Sequence, residues 1–275
     1  MSIDTHSDVP AQHLEIGGAI VTYRRAGAGA PLVYFHGSGL TKRWLPLYGD
    51  LAESFDVIVP EHPGYGDSVR PRWLRDIDDL VLHEADALDA LGLNSFHAVG
   101  HSFGGVVAAS FAALFPDRVR SLTLISPGPL PVVTPSELLE PLMRMFTDPP
   151  EDGDALLLND NQSAYPEYLN GDDMGEVVAS DDGSDPHANP DAFDRQGAPA
   201  LYRRLSRVKA PRQLLVPDED RLFPRGIFEL WSRYLGDAPI VAITGDRYPT
   251  GHLLVVQEPR KIADAVGDLA SGGGR

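Results

Sequence analysis

The chain contains no cysteine. That absence excludes disulfides, thiolate metal sites and a cysteine nucleophile together. Lysine is scarce too: Lys42, Lys209 and Lys261 are the only ones, and 23 basic against 40 acidic residues leave a net charge of -17. So acidic a chain lacks the basic face that DNA or RNA phosphates require, and anionic membranes are disfavoured for the same reason. No apolar run approaches the length of a bilayer span. The first eight residues, Met1 to Asp8, have neither the basic nor the apolar region of a secretory leader, so a cytoplasmic location is expected. The glycine-rich pieces lack a Gly-Lys-Ser/Thr and a dinucleotide fingerprint, and Asp181-Asp182-Gly183-Ser184-Asp185 does not follow the Ca²⁺-loop template. No cofactor is expected, and no internal repeat is found.

What is present is an alternation of buried strands and helices in 275 residues, enough for one large α/β domain or two small ones. Leu14-Glu15-Ile16 and Ala19 to Tyr23 flank Gly17-Gly18 as a hairpin would. Apolar runs at 31–35, 55–60, 119–126, 212–217 and 238–244 predict further strands. Helices are expected over about 44–54, 77–91, 224–235 and 259–269, and in the second of these Ile77, Leu80, Val81, Leu88 and Leu91 share one face. This order implies a mostly parallel sheet covered on both faces, with its active site beyond the carboxyl ends of the strands. From 131 to 208 prolines and short helical stretches replace strands, and 171–190 is acidic with few large apolar residues. The expected organisation is therefore a core in two parts, 1–130 and 209–275, with 131–208 inserted as a mainly helical cap.

The most informative stretch is 96–105, where an apolar run ends in Gly100-His101-Ser102-Phe103-Gly104 and a helix-like sequence begins at once. G-x-S-x-G in a strand-turn-helix context places its serine on a strained turn, in front of the positive end of the helix dipole. A serine hydroxyl needs a general base, and the base an orienting acid. Only His187 and His252 follow Ser102. His187 sits in the acidic stretch and reads as solvated, whereas Thr250-Gly251-His252 follows the last strand and can return over the sheet. For the acid, Asp218, Glu219 and Asp220 all lie just past a strand end.

His36-Gly37-Ser38-Gly39, Pro63-Gly64-Tyr65-Gly66-Asp67-Ser68, Gly100 to Gly105, Asp220-Arg221-Leu222-Phe223-Pro224 and Gly251-His252 together resemble, in order and spacing, the motifs of the α/β-hydrolase superfamily. The resemblance implies that fold, with Ser102 as nucleophile, His252 as base and Asp220 as acid. It makes the backbone amides of Ser38 and Phe103 the oxyanion hole, with His36, Gly37, Gly100 and Gly104 in supporting roles. His36 is expected to hydrogen-bond loop backbone beneath the site, and His101 to be the variable elbow position; no metal site is implied. The chain departs from the family in having Pro217 where glycine is usual and Glu61 where aspartate is usual.

The expected activity is a serine hydrolase acting on a small or medium organic carbonyl compound, a carboxylic ester or a lactone. Its rivals are a carbon–carbon bond hydrolase of the meta-cleavage type, a cofactor-free haloperoxidase and a non-catalytic small-molecule receptor. The His-Gly-Ser-Gly loop also resembles that of meta-cleavage hydrolases, though Leu40-Thr41 follows where that family usually has Pro-Gly. Between 131 and 208 there are 16 Asp and Glu against 5 Arg. Over the strand ends such a charge would repel anionic substrates; facing outward, it would serve solubility alone.

Overall fold

A computed structural model describes residues 9–130, 132–147, 150–168 and 200–272. Its frame is one sheet of eight strands in the order β1-β2-β4-β3-β5-β6-β7-β8. The strands are β1 (Gln12–Ile16), β2 (Ala19–Gly27), β3 (Ala30–Phe35), β4 (Phe55–Pro60), β5 (Phe96–His101), β6 (Val119–Ile125), β7 (Arg212–Pro217) and β8 (Ile240–Ile243). The β1–β2 and β2–β4 pairs are antiparallel, and every pair from β4 to β8 is parallel. The chain has the α/β-hydrolase fold.

Parallel strands covered on both faces must be apolar throughout. Leu32 to Phe35 of β3 and all six residues of β5 are accordingly buried. Gly17 and Gly18 turn the β1–β2 hairpin with φ of 59° and 84°, the left-handed conformation that a two-residue turn requires. β2 runs four residues past the expected stop at Tyr23. Its extension pairs Arg24 and Arg25 with Val59 and Ile58 of β4, and the two guanidinium groups bind Glu61 and Asp56 at 2.7 and 2.6 Å. A polar run can continue a strand where each charge finds an opposite partner.

The helices are α1 (Pro46–Ala52), α2 (Ile77–Ala90), α3 (Phe103–Leu114), α4 (Glu140–Thr147), α5 (Pro150–Leu158), α6 (Leu201–Arg204), α7 (Arg225–Tyr234), α8 (Leu254–Gln257) and α9 (Pro259–Ala270). α2 starts where the Asp76 side chain accepts the N–H of Asp79 at 2.9 Å and satisfies one of its orphan donors. α3 is buried on nearly every side, from Gly104 to Ala113, so its sequence shows no amphipathic stripe. Trp231 of α7 is fully buried, and its indole N–H donates to the Gly128 carbonyl at 2.7 Å. Among the described residues no helix is long and apolar enough to cross a membrane.

Candidate active site

Ser102 joins β5 to α3 with φ 54° and ψ -121°, a conformation that a non-glycine residue holds only when its surroundings enforce it. The enforcement is backbone packing. A Cβ at Gly104 would lie 2.0 Å from the Phe35 carbonyl oxygen, and one at Gly100 2.2 Å from that of Gly104. The Ser102 N–H donates to Ile125 O at 3.0 Å, while its carbonyl accepts the N–H groups of Gly105 and Gly128, both at 2.9 Å. The hydroxyl is thereby fixed over the ends of β5 and β6.

Three loops converge on it. His252 Nε2 lies 3.0 Å from Ser102 Oγ, and His252 Nδ1 lies 2.9 Å from Asp220 Oδ2. The other Asp220 oxygen, Oδ1, accepts the N–H groups of Leu222 and Phe223 at 3.0 and 2.8 Å. Both His252 and Asp220 have almost fully buried side chains. Because Nδ1 faces a carboxylate it carries the ring proton, which leaves the Nε2 lone pair for the serine hydroxyl. The Phe223 ring stands edge-on to the imidazole at 4.6 Å and closes it on one side.

Asp218 is exposed, as an acidic turn implies, yet one of its oxygens is engaged by backbone. Its Oδ2 accepts the N–H groups of Gly245 and Thr250 at 2.9 and 3.0 Å, which ties the acid loop to the loop carrying His252. Glu219 is exposed, with its carboxylate 3.7 Å from Arg221. A third tie comes from the segment between β6 and β7. Asn159 Nδ2 donates to the carbonyls of Glu219 and Thr250 at 2.8 and 2.9 Å, and the Leu253 N–H donates to Leu157 O at 3.1 Å. His101 also has a fixed partner: its Nε2–H donates to the His252 carbonyl at 3.0 Å. Burial and the neighbouring His252 push His101 down to about 3, so it stays a neutral donor.

On the opposite side, a Cβ at Gly37 would lie 3.2 Å from Ser102 Cβ, so the loop after β3 passes directly against the serine. Ser38 on that loop is exposed, and Phe103, next to Ser102, is half-buried. His36 is buried beneath: its Nδ1–H donates to Gly37 O at 2.6 Å, and its Nε2 accepts the His62 N–H at 2.9 Å. His62 is itself paired with Glu84. Glu84 is visible in the sequence, since it stands four residues after Leu80 and four before Leu88, in the middle of the apolar face of α2. Nothing in spacing marks Asp218, Asn159 or His101 as ties. His187 and residues 181–185 lie outside the described residues. Among the described residues no group of three or more His, Asp or Glu is placed to hold a metal ion.

Residues 30–166 match the family model for the alpha/beta hydrolase fold. The chain is 38% identical over 114 residues to 2-hydroxy-6-oxo-2,4-heptadienoate hydrolase of Pseudomonas putida, a match covering 40% of this chain and 41% of that protein. It thus spans about two fifths of that relative's length. Among solved structures it is similar to a membrane phospholipase A described as a bacterial virulence factor, at 25% identity and a TM-score of 0.76, over 96% of this chain and 86% of that one. Naproxen esterase of Bacillus subtilis superposes with a TM-score of 0.74 over 94% and 91% of the two chains, at 18% identity, and so speaks for the fold alone. With the sheet order, the elbow and this family match in agreement, the chain belongs to the α/β-hydrolase superfamily.

Proposed function

We propose that the protein is a serine hydrolase of carboxylic esters or lactones, with Ser102 as nucleophile, His252 as general base and Asp220 as its orienting acid. The observation that carries the reading is the unbroken chain from Ser102 Oγ through both ring nitrogens of His252 to Asp220, with links of 3.0 and 2.9 Å. Ser102 Oγ attacks the substrate carbonyl as its proton passes to His252 Nε2. The tetrahedral oxyanion accepts from the backbone N–H groups of Ser38 and Phe103, each such donor being worth roughly 10²- to 10³-fold in turnover. His252 then returns the proton to the departing alkoxide, leaving an acyl-serine. Water attacks that ester as His252 takes one of its protons, and collapse restores Ser102 and releases the carboxylic acid. In a lactone both products are one molecule.

Residues 131–208 form the cap in this reading. Its support is that Leu157 and Asn159 bond to residues on both sides of His252. A second reading, hydrolysis of a carbon–carbon bond in a vinylogous diketone, is favoured by the identity with the heptadienoate hydrolase. The test is turnover of a panel of esters, lactones and vinylogous diketones by the wild type and Ser102→Ala, with labelling by an organophosphonate. One label on Ser102, lost in Ser102→Ala together with ester turnover, is expected. Full turnover by Ser102→Ala overturns the reading, and turnover of diketones alone selects the second.

A further inference from the structure

Under the loop that carries Ser38 lies another imidazole–carboxyl pair, one with no part in the chemistry of Ser102, His252 and Asp220. His62, just past β4, is fully buried, with Nδ1 2.8 Å from Glu84 Oε1 and Nε2 3.1 Å from the His36 carbonyl oxygen. A carbonyl oxygen only accepts, so Nε2 carries a proton. The backbone N–H of the same residue donates to the His36 ring. One residue thus grips His36 by its ring and by its carbonyl, and the next two residues along the chain are Gly37 and Ser38.

The remaining question is where the proton between His62 and Glu84 resides. Glu84 Oε2 is buried and has no hydrogen-bond partner. A carboxylate there would leave a charged oxygen without a donor, which costs more than keeping the acid neutral. Burial pushes Glu84 up to about 8 and His62 down to about 4, both toward a neutral pair. The surrounding titratable groups are His36 from the end of β3, Tyr65 from the following turn, His83 with Asp86 beyond it on α2, and Glu61 bound to Arg24. Burial holds His36 and His83 below the usual imidazole range and lifts Tyr65 to about 12. None of these three changes charge between neutrality and mild alkali.

We propose that Glu84 and His62 are positioning residues for the oxyanion loop and act in their protonated form, Glu84 O–H donating to His62 Nδ1 and His62 Nε2–H donating to the His36 carbonyl. This rests on the reading of the Ser38 amide as an oxyanion donor. When the pair loses its proton, the single imidazole N–H is drawn to the carboxylate, because a charge-assisted bond is the stronger one. Nε2 then faces the His36 carbonyl lone pair to lone pair, and the loop shifts away from Ser102. Turnover falls in alkali for a reason separate from the base.

The test is the pH dependence of kcat for ester turnover in the wild type, Glu84→Gln and Glu84→Ala, with infrared difference spectra of the protonated-carboxyl C=O stretch in each and in Ser102→Ala. The Gln amide donates to Nδ1 at every pH. We expect wild-type kcat to fall above an apparent pKa of about 8, a value that belongs to the pair. Glu84→Gln should stay within about threefold of wild type at pH 7 and show no such fall, whereas Glu84→Ala should lose about tenfold in kcat with little change in KM. The infrared band should vanish through the same pH range in the wild type and in Ser102→Ala, and be missing from Glu84→Gln. Coincident alkaline limbs for wild type and Glu84→Gln, or no carboxyl group titrating in that range, overturn the proposal. If Glu84→Gln fails to fold, the infrared titration of the wild type decides alone. Ester turnover by Ser102→Ala would instead overturn the reading of the site, while the infrared band still reports on Glu84.

Discussion

At the β7–β8 end of the site Asp218 and Asp220 accept four backbone N–H groups between them, whereas at the β3–β4 end Glu84 meets one imidazole and keeps an oxygen with no partner. Asp220 and Glu84 are both buried beside a histidine, yet the main chain solvates the first and leaves the second bare. A carboxyl wrapped in amide donors can answer an imidazolium that forms and disappears within a reaction cycle. One left bare is suited to holding a proton and a shape. Burial alone therefore does not decide what an acid does in a site; the count of donors around it does.

The comparison is open to attack at several points. The largest effect is expected from Asp220→Asn, which should lower kcat by roughly 10²- to 10⁴-fold because the imidazolium loses its partner. Asp218→Asn should cost about tenfold or less, since an amide oxygen can still accept the Gly245 and Thr250 N–H groups. Steady-state kinetics of the two variants decide, and a more severe Asp218→Asn would exchange the roles of the two acids. Next comes Asn159, whose amide bridges the two loops. Asn159→Ala should lower kcat about tenfold and stability by about 1–3 kcal/mol, and Asn159→Asp should be worse, because a carboxylate would face two carbonyl oxygens. Thermal unfolding together with kcat checks both, and an Asn159→Asp variant as stable as wild type would show that the bridge carries no strain.

A smaller effect concerns stability against pH. A carboxyl whose folded pKa is raised to about 8 stabilises fully below its ordinary range and loses that contribution as pH rises through 8. The lowered pKa of His62 acts oppositely, its contribution growing as pH rises from about 4 to 6.5 and staying constant above that. Above pH 6.5 the Glu84 slope remains alone, so the melting temperature should fall from there to pH 8 in the wild type and fall less in Glu84→Gln. Equal slopes would place the proton elsewhere. The smallest effect is on substrate choice. With 16 acids and 5 arginines in residues 131–208, added salt should raise kcat/KM for an anionic ester and leave a neutral isostere level, screening acting over about 8–10 Å. Parallel salt responses would leave that charge without a part in selection.

Much of the frame is legible in the chain itself. The runs at 55–60 and 212–217 are β4 and β7 to the residue, because buried parallel strands must be apolar and each run gives way at its end to an acid, Glu61 or Asp218. β2 is harder to read, since its last residues include arginines whose partners Asp56 and Glu61 lie more than thirty residues away. The site divides in the same way. Ser102, Asp220 and His252 stand in motifs with local signatures, and the structure brings their side chains into contact. Asp218, Asn159 and His101 act through backbone groups of distant loops, which leave no mark on residue spacing. Glu84 lies between these cases. A glutamate amid Leu80, Val81 and Leu88 announces that it is buried, but only the fold shows that His62 is what it meets.

The amide of Asn159 also bears on how such a protein could be re-engineered. Exchanging inserted segments between relatives is a natural way to transplant substrate preference onto a common scaffold. Here the segment is stitched into the scaffold at Leu157 and Asn159, which bond to Leu253, Glu219 and Thr250. A chimera cut at the edges of 131–208 would remove that stitch, and the two loops behind Ser102 would lose a shared fastening. A graft that ends short of Leu157 and resumes after Asn161 would exchange most of the segment and keep these bonds. In this molecule the bonds that matter for such an exchange lie well inside the boundaries that sequence composition draws.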